Sequence, residues 1–229
     1  MQPINLADYE ALAPQHLEPN VWDYFRGGSD DEVTLRANRD AFERIWLRPR
    51  MLVNVHTIDT QTSVLGLPVP MPILVAPTSQ HGLAHPEGER ETARGVGATG
   101  TVMVLSTSAS RVPEDVAQAA NGPLWFQLYL RSHARGEDLV RRVEALGYRA
   151  IVLTTDLPRM GNRERDTRHE LAGNGINRLL QTPNYDGSES GFGDALTWDV
   201  LDWLRSITTL PVVVKGILTA EDALLAVER

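Results

Sequence analysis

Residues 124–155 read LWFQLYLRSHARGEDLVRRVEALGYRAIVLTT, and this stretch decides the fold class. Two apolar runs, Leu124–Leu130 and Ala150–Thr155, flank a segment in which Leu139, Val143 and Leu146 recur at helical spacing. The flanking runs are apolar at most positions rather than alternating, which is the composition of strands covered on both faces. A strand, a helix and a second strand of this kind make a parallel βαβ unit with a right-handed crossover.

The pattern repeats on either side. Ile73–Ala76, Val102–Ser106 and Pro211–Lys215 are further strand candidates, each bounded by glycine, proline or polar residues. Between and after them, Glu87–Ala98, Pro113–Ala120 and Thr197–Ile207 carry helix-start prolines, first-turn acids or an apolar stripe, and Thr219-Ala-Glu-Asp222 reads as a capping box. Strand and helix alternate five times, so the fold is an open doubly wound sheet or a barrel. No GxGxxG fingerprint is present, and Gly95-Val-Gly97 lies inside a helical run instead of opening one after a strand. The expected fold is therefore an α/β (β/α)8 TIM barrel of which this chain holds about five βα units.

Residues 1–66 differ in pattern, with helical spacing over Leu6–Ala13, Val21–Phe25 and Asp30–Phe42, and are expected to form a helical cap region. Residues 67–229 are the expected barrel portion, and the glycine-rich stretch 162–196 within it reads as a lid loop over the barrel mouth. Five units alone would expose strand edges and inner side chains, so the remaining barrel segment is an expected partner, as a second chain or otherwise.

Composition narrows the function. The 229 residues are 42% hydrophobic and 23% charged, ordinary for a globular chain, and the formal net charge of −8 is the opposite of a nucleic-acid footprint. The apolar run at 67–76 is broken by prolines and falls short of the ~20 residues a membrane span needs. The start, Met1–Asp8, lacks the basic and apolar regions of a secretory signal, and a cytoplasmic setting is expected. With no cysteine there is no disulfide, thiolate metal ligand or thiol nucleophile. His81 and His85 are four residues apart, but Gly82 and Pro86 make the segment a turn and no third ligand is apparent, so no metal site is expected.

The strand ends carry the chemistry. Thr78 and Ser79, Ser106 and Ser108, Gln127 and Tyr129, Thr154 and Asp156, and Lys215 stand at the C-terminal ends of the five strands, which converge on one face of a barrel. Any one polar strand end is simply a strand reaching solvent. Five together favour a ligand that is flat, polar and uncharged where these groups touch it. For Lys215 the residues alone leave a Schiff base, a counter-charge to a cofactor and a structural ion pair equally open.

These strand ends belong to an ordered set of motifs. Trp22-Asp-Tyr-Phe-Arg-Gly-Gly28, Ala76-Pro-Thr78, Ala84-His-Pro-Glu-Gly-Glu89, Trp125-Phe-Gln-Leu-Tyr129, Leu153-Thr-Thr-Asp156 and Leu210-Pro-Val-Val-Val-Lys-Gly216 follow one another along nearly the whole chain. In this the sequence resembles the N-terminal portion of the FMN-dependent 2-hydroxy acid oxidases and dehydrogenases, the enzymes that oxidise glycolate, lactate and mandelate.

The resemblance implies that FMN is the cofactor, contacted by Ala76, Pro77, Thr78, Ser79, Ser106, Gln127, Thr154 and Lys215. It implies that Lys215 stabilises the anionic reduced flavin. Tyr24 and Arg163 would hold the substrate carboxylate, and Tyr129 would hydrogen-bond the substrate hydroxyl. Asp156 would orient a catalytic histidine. That histidine belongs to a Ser-Asn-His-Gly-Gly-Arg-Gln-like segment which this sequence does not reach, and His81, His85 and His169 do not lie in such a motif. Ser108 replaces a bulky aromatic common in the short-chain oxidases, which implies a wider pocket and aromatic or otherwise large 2-hydroxy acids. The implied reaction is oxidation of an (S)-2-hydroxy acid to a 2-oxo acid, with oxygen as acceptor or, in a dehydrogenase, another electron acceptor, in a homotetramer. The alternatives are an inactive flavin-binding or interaction fragment, or another FMN barrel such as a type-2 isopentenyl diphosphate isomerase.

Overall fold

The computed structural model describes residues 2–171, 173, 175, 180, 182–184 and 196–229. The chain divides into two compact units, Met1–Asp59 with Gly161–Leu180, and Thr60–Met160 with Gln181–Arg229.

The first unit is helical, with α1 at Leu6–Leu12, α2 at Pro19–Arg26, α3 at Val33–Glu43 and α7 at Glu164–Leu171. Asn5 caps α1 by accepting the Asp8 N–H, and Pro19 opens α2 at the first position, where its missing N–H costs nothing. Helix α7 falls inside the stretch read as a lid. Its charge-rich sequence ERDTRHEL gives no apolar stripe to read, because its contacts to α2 and the 27–32 loop are ionic. Much of the rest of 162–196 lies outside the described residues, including Gly187, Gly191 and Gly193.

The second unit carries the alternation. Its order is β1 Thr62–Val64, β2 Leu67–Val69, α4 Glu89–Ala98, β3 Met103–Ser106, α5 Pro113–Ala119, β4 Leu124–Leu128, α6 His133–Ala145, β5 Ile151–Thr154, α8 Asp199–Ile207, β6 Val212–Lys215 and α9 Ala220–Glu228. Strands β3 to β6 pair in parallel and in sequence order, which is the order of a barrel wall and not of a doubly wound sheet.

Two departures from the sequence reading stand out. The segment Ile73–Ala76 forms only a single parallel bridge, Val75 to Met103, with Val75 N–H donating to Val102 O at 2.9 Å and Val104 N–H to Val75 O at 3.0 Å. Pro72 before it and Pro77 after it remove the donor and the backbone freedom that a longer ladder needs. The antiparallel hairpin β1–β2, turning at Leu65 and Gly66 with positive φ at both, was not anticipated, since three-residue strands are too short to show a period.

Alternation within the strands sorts their side chains into two layers. Met103, Leu105, Leu124, Phe126, Leu128, Ile151 and Leu153 pack with Val116 of α5, Leu139, Val140 and Val143 of α6 and Leu204 of α8. Val102, Val104, Trp125, Ala150 and Val152 form a separate cluster with Val69 of β2, against which Val213 packs. The next residue of this inner set on each strand is Ser106, Gln127, Thr154 and Lys215. The strand period therefore delivers four polar tips to one face, beyond an apolar floor.

Candidate functional site

Gln127 is the hub of the inner face and is 1% exposed. Its Oε1 accepts Ser106 Oγ–H at 3.1 Å and Thr107 N–H at 3.2 Å, and its Nε2 donates to Thr154 Oγ1 at 2.8 Å. Ser106 pairs with Gln127 directly across β3 and β4, whereas Gln127 pairs with Val152, so its long side chain reaches diagonally to Thr154. A shorter asparagine could not span that stagger. Thr107, fully buried, closes the back: its Oγ1 donates to Gln127 O at 2.5 Å and accepts Tyr129 N–H at 3.0 Å. Sequence reading missed Thr107, although it lies between two hydroxyl residues already singled out.

Thr154 in turn pairs across the sheet with Lys215. The Lys215 ammonium takes both oxygens of Asp156, at 3.0 and 2.9 Å, and Thr155 N–H and Oγ1–H both donate to Lys215 O. The ion pair left open for Lys215 is thus formed with Asp156. Gly216 follows with φ +116, and a Cβ there would lie 2.5 Å from Asp156 Cβ, so the close approach of the two strand ends requires glycine.

Ser108 is half-buried, with its N–H donating to Ser106 Oγ at 3.1 Å and its carbonyl accepting Gln80 Nε2–H at 2.9 Å. Thr78 and Ala76 are exposed, while Pro77 and Ser79 are half-buried, in the loop after the Val75 bridge. This loop is tied to the loop after β3 through Glu89, fully buried, whose carboxylate accepts His81 N–H at 3.0 Å, Ser110 N–H at 2.9 Å and Ser110 Oγ–H at 2.6 Å. Burial lowers the His81 pKa against the opposing pull of Glu89 and the Thr78 backbone, and its Nδ1 lies 2.9 Å from Thr92 Oγ1. Among the described residues no group of three or more metal-ligating side chains occurs.

Chemically, the inner face is a hydrogen-bonding set for a planar polar edge. Gln127 Nε2 keeps one N–H beyond that given to Thr154, the Thr154 hydroxyl keeps its own proton after accepting, and Lys215 carries a positive charge at the end of the row. The amide and ammonium donors flank a hydroxyl oxygen that can accept a second hydrogen bond, and this donor, acceptor, donor order fits the carbonyl, imide N–H and carbonyl edge of a flavin ring.

In the first unit, Tyr24 and Arg163 are brought together. Arg163 Nη2 donates to Tyr24 O at 2.5 Å, Nη1 to Gly27 O at 3.3 Å and Nε to Asp166 Oδ2 at 2.6 Å, with the guanidinium carbon 5.3 Å from the Tyr24 ring centroid. Two residues on, Arg165 bridges Glu32, at 2.7 and 2.8 Å, and Asp23, at 3.0 Å. His169 Nε2 lies 2.8 Å from Asp23 Oδ2. Burial works to raise the Asp23 pKa, but the hydrogen bonds from His169 and Arg165 prevail and lower it. The Arg165 hydrogen bonds and the Gly28 N–H lower Glu32.

Comparison with known proteins places this geometry. Residues 13–229 match the model of the FMN-dependent dehydrogenase family. Glycolate oxidase 5 of Oryza sativa subsp. japonica is 43% identical over 98% of this chain and 65% of its own length, and Spinacia oleracea glycolate oxidase is 42% identical over 100% and 66%. Among solved structures, mandelate oxidase with benzoyl-formic acid superposes with a TM-score of 0.90 at 39% identity, over 99% of this chain and 65% of that one. An oxidised active mutant of (S)-mandelate dehydrogenase superposes at 0.91 and 33% identity, over 97% and 67%. The chain thus spans 65% of the length of the first of these curated relatives, and the four parallel strands with their helices are part of a (β/α)8 barrel. By sequence match, fold and strand-end set together, the chain belongs to the FMN-dependent dehydrogenase family.

Proposed function

We propose that this chain supplies the flavin-binding and carboxylate-binding portion of an FMN-dependent oxidase that converts an (S)-2-hydroxy acid to a 2-oxo acid. The observation that carries the reading is the buried Ser106, Gln127 and Thr154 relay ending at Lys215, a row of amide donor, hydroxyl acceptor and ammonium donor suited to a flavin edge. When bound, FMN accepts the two electrons of the oxidation, and oxygen is the proposed final acceptor.

The chain's own residues do the rest. The loop Ala76, Pro77, Thr78 and Ser79 lines one side of the cofactor, while Ser106, Gln127, Thr154 and Lys215 hold its polar edge. Lys215 offsets negative charge there. Arg163 and Tyr24 bind the substrate carboxylate, and the Tyr129 hydroxyl hydrogen-bonds the substrate hydroxyl. Asp156 orients the imidazole of a histidine from the remaining barrel segment, which accepts the hydroxyl proton. The proposed domain organisation keeps a cap region over 1–66, the barrel portion over 67–229 and a lid at 162–196.

A homo-oligomeric, cytoplasmic assembly accompanies this reading, with the homotetramer as its proposed form. Its support is the exposed apolar run that includes Trp46 at 88% and Leu47 at 92% exposure, which a subunit contact would cover. Light scattering on the complete protein tests it. Among the described residues no helix is long and apolar enough to cross a membrane.

Anaerobic mixing of the complete, FMN-loaded protein with glycolate, (S)-lactate and (S)-mandelate tests the activity: the flavin absorbance should bleach with at least one of them. Lys215→Met should slow that bleaching by about a hundredfold. A second reading, flavin binding without turnover, is favoured by the mutual pairing of Lys215 and Asp156, which commits two candidate catalytic groups to each other. Tight FMN retention with no bleaching by any 2-hydroxy acid would support that reading.

A further inference from the structure

Arg163 is unusually constrained for a half-buried arginine. Three of its five N–H groups are engaged among the described residues, by Asp166, Tyr24 O and Gly27 O, and its face lies over the Tyr24 ring. One N–H remains on each terminal nitrogen. The two carbonyls come from the last turn of α2 and the residue after it, so backbone geometry fixes them. The Nε bond is different, because it depends on one side chain, three residues along the chain in the first turn of α7.

Asp166 is placed at a cost. Its side chain is 13% exposed, and its Oδ1 is buried without a hydrogen-bond partner among the described residues. A buried carboxylate oxygen left unpaired is unfavourable, and an asparagine or serine could cap the first turn of a surface helix without it. What the carboxylate provides here is a 2.6 Å charge-assisted bond to Nε, which fixes the guanidinium plane and leaves the terminal nitrogens to other partners. Arg165 cannot take this role, since it is committed to Glu32 and Asp23.

We propose that Asp166 is a positioning residue that sets the affinity for the 2-hydroxy acid carboxylate through the orientation of Arg163, without itself touching substrate. The inference rests on the assignment of Arg163 to the substrate carboxylate made above. An arginine free to rotate would have to be ordered by each incoming anion, whereas one held at Nε presents its remaining N–H groups in a fixed plane.

The test is a double-mutant cycle in the complete, FMN-loaded protein, read as KM against kcat and as oxalate affinity by calorimetry. Asp166→Asn should raise KM and weaken oxalate by about tenfold while kcat stays within about twofold, the signature of lost ground-state binding. Asp166→Glu, which keeps the charge one methylene further out, should show a smaller rise. In an Arg163→Met background Asp166→Asn should add nothing, because the group it orients is gone. Equal KM in wild type and Asp166→Asn, with Arg163→Met impaired, overturns the inference and leaves the carboxylate assignment standing. Undiminished affinity in Arg163→Met overturns the assignment and the inference together. If Asp166→Asn does not fold, Asp166→Glu decides alone: unchanged KM and oxalate affinity overturn the proposal.

Discussion

Ser108 is tethered through its backbone from two sides, by Ser106 Oγ and by Gln80 Nε2, so its Cα position does not depend on its own side chain. That makes it a suitable place to change volume. On the proposed function, a serine here leaves room for an aryl group, and burying one ring against apolar surface is worth about 1–3 kcal/mol. Ser108→Trp in the complete protein should therefore lower kcat/KM for mandelate-like acids by about one to two decades while sparing glycolate and lactate. Steady-state kinetics on the three substrates check this; equal losses on all of them would show that the indole disturbs the flavin region instead of selecting substrate. The residues around Ser108 were unequally legible. Ser106, Gln127 and Thr154 could be read because a period of two on a strand fixes which tips share a face. Gln80 could not, since its contact lies 28 residues away and its backbone adopts the left-handed region at φ +61, which no local pattern of Gln and His announces. Asp166 looked like one more acid in the charged helix α7, and only its pairing with Arg163 separates it from Glu164.

At the scale of elements, α4 shows how sequence punctuation can mislead. Gly95 and Gly97 read together as a weak nucleotide-loop signal that the helical context rejects, yet they do different things. A Cβ at Gly97 would fall 2.0 Å from Asn121 Oδ1 and 2.7 Å from Gly122 N, because α4 runs against the backbone of the turn before β4. At Gly95 nothing lies within 4 Å. Gly95→Ala should therefore stabilise the protein by up to about 1 kcal/mol through helix propensity. Gly97→Ala should destabilise it by about 1–3 kcal/mol, since the overpacking it forces against backbone exceeds the propensity gain. Denaturant midpoints of the two variants check both signs, and a destabilised Gly95→Ala would contradict the open environment. Elsewhere the elements were read well where a cap or stripe marked them: Thr219 accepts the Asp222 N–H at 3.2 Å as its capping pattern required. Helix α6 begins at His133 under the Ser132 cap, six residues before Leu139, where its apolar stripe starts. Gly136 hid that first turn, because a helix-weakening residue sits there, with Leu130 and Trp203 packed where a Cβ would be.

Across the whole molecule, the shifted histidine and carboxylates share one sign but titrate at different pH. Burial lowers His81 in the second unit, so its folded pKa lies below its unfolded value. A group of that kind contributes stability above its unfolded pKa, near 6.5 for histidine, and the contribution is lost as pH falls through the folded value. In the same unit the Thr209 and Thr208 hydroxyls lower Glu144, and in the first unit Arg165 takes part in lowering Asp23 and Glu32. These carboxylates give stability above their unfolded values, near 4, and surrender it only in more acid solution. Acid destabilisation should therefore come in two stages, an early one that sets in below about pH 6.5 and depends on His81, and a later one below about pH 4 that depends on the carboxylates. Urea midpoints measured from pH 8 to 3.5 should show the early decline in the wild type and its loss in His81→Asn, which cannot take up a proton. Arg165→Met should leave the early stage intact and flatten the later one, because Asp23 and Glu32 return toward their ordinary range. An early stage of equal size in His81→Asn would assign it to another group, and an Arg165→Met profile that keeps its full late stage would mean that the first-unit ion pairs are too solvent-screened to carry stability.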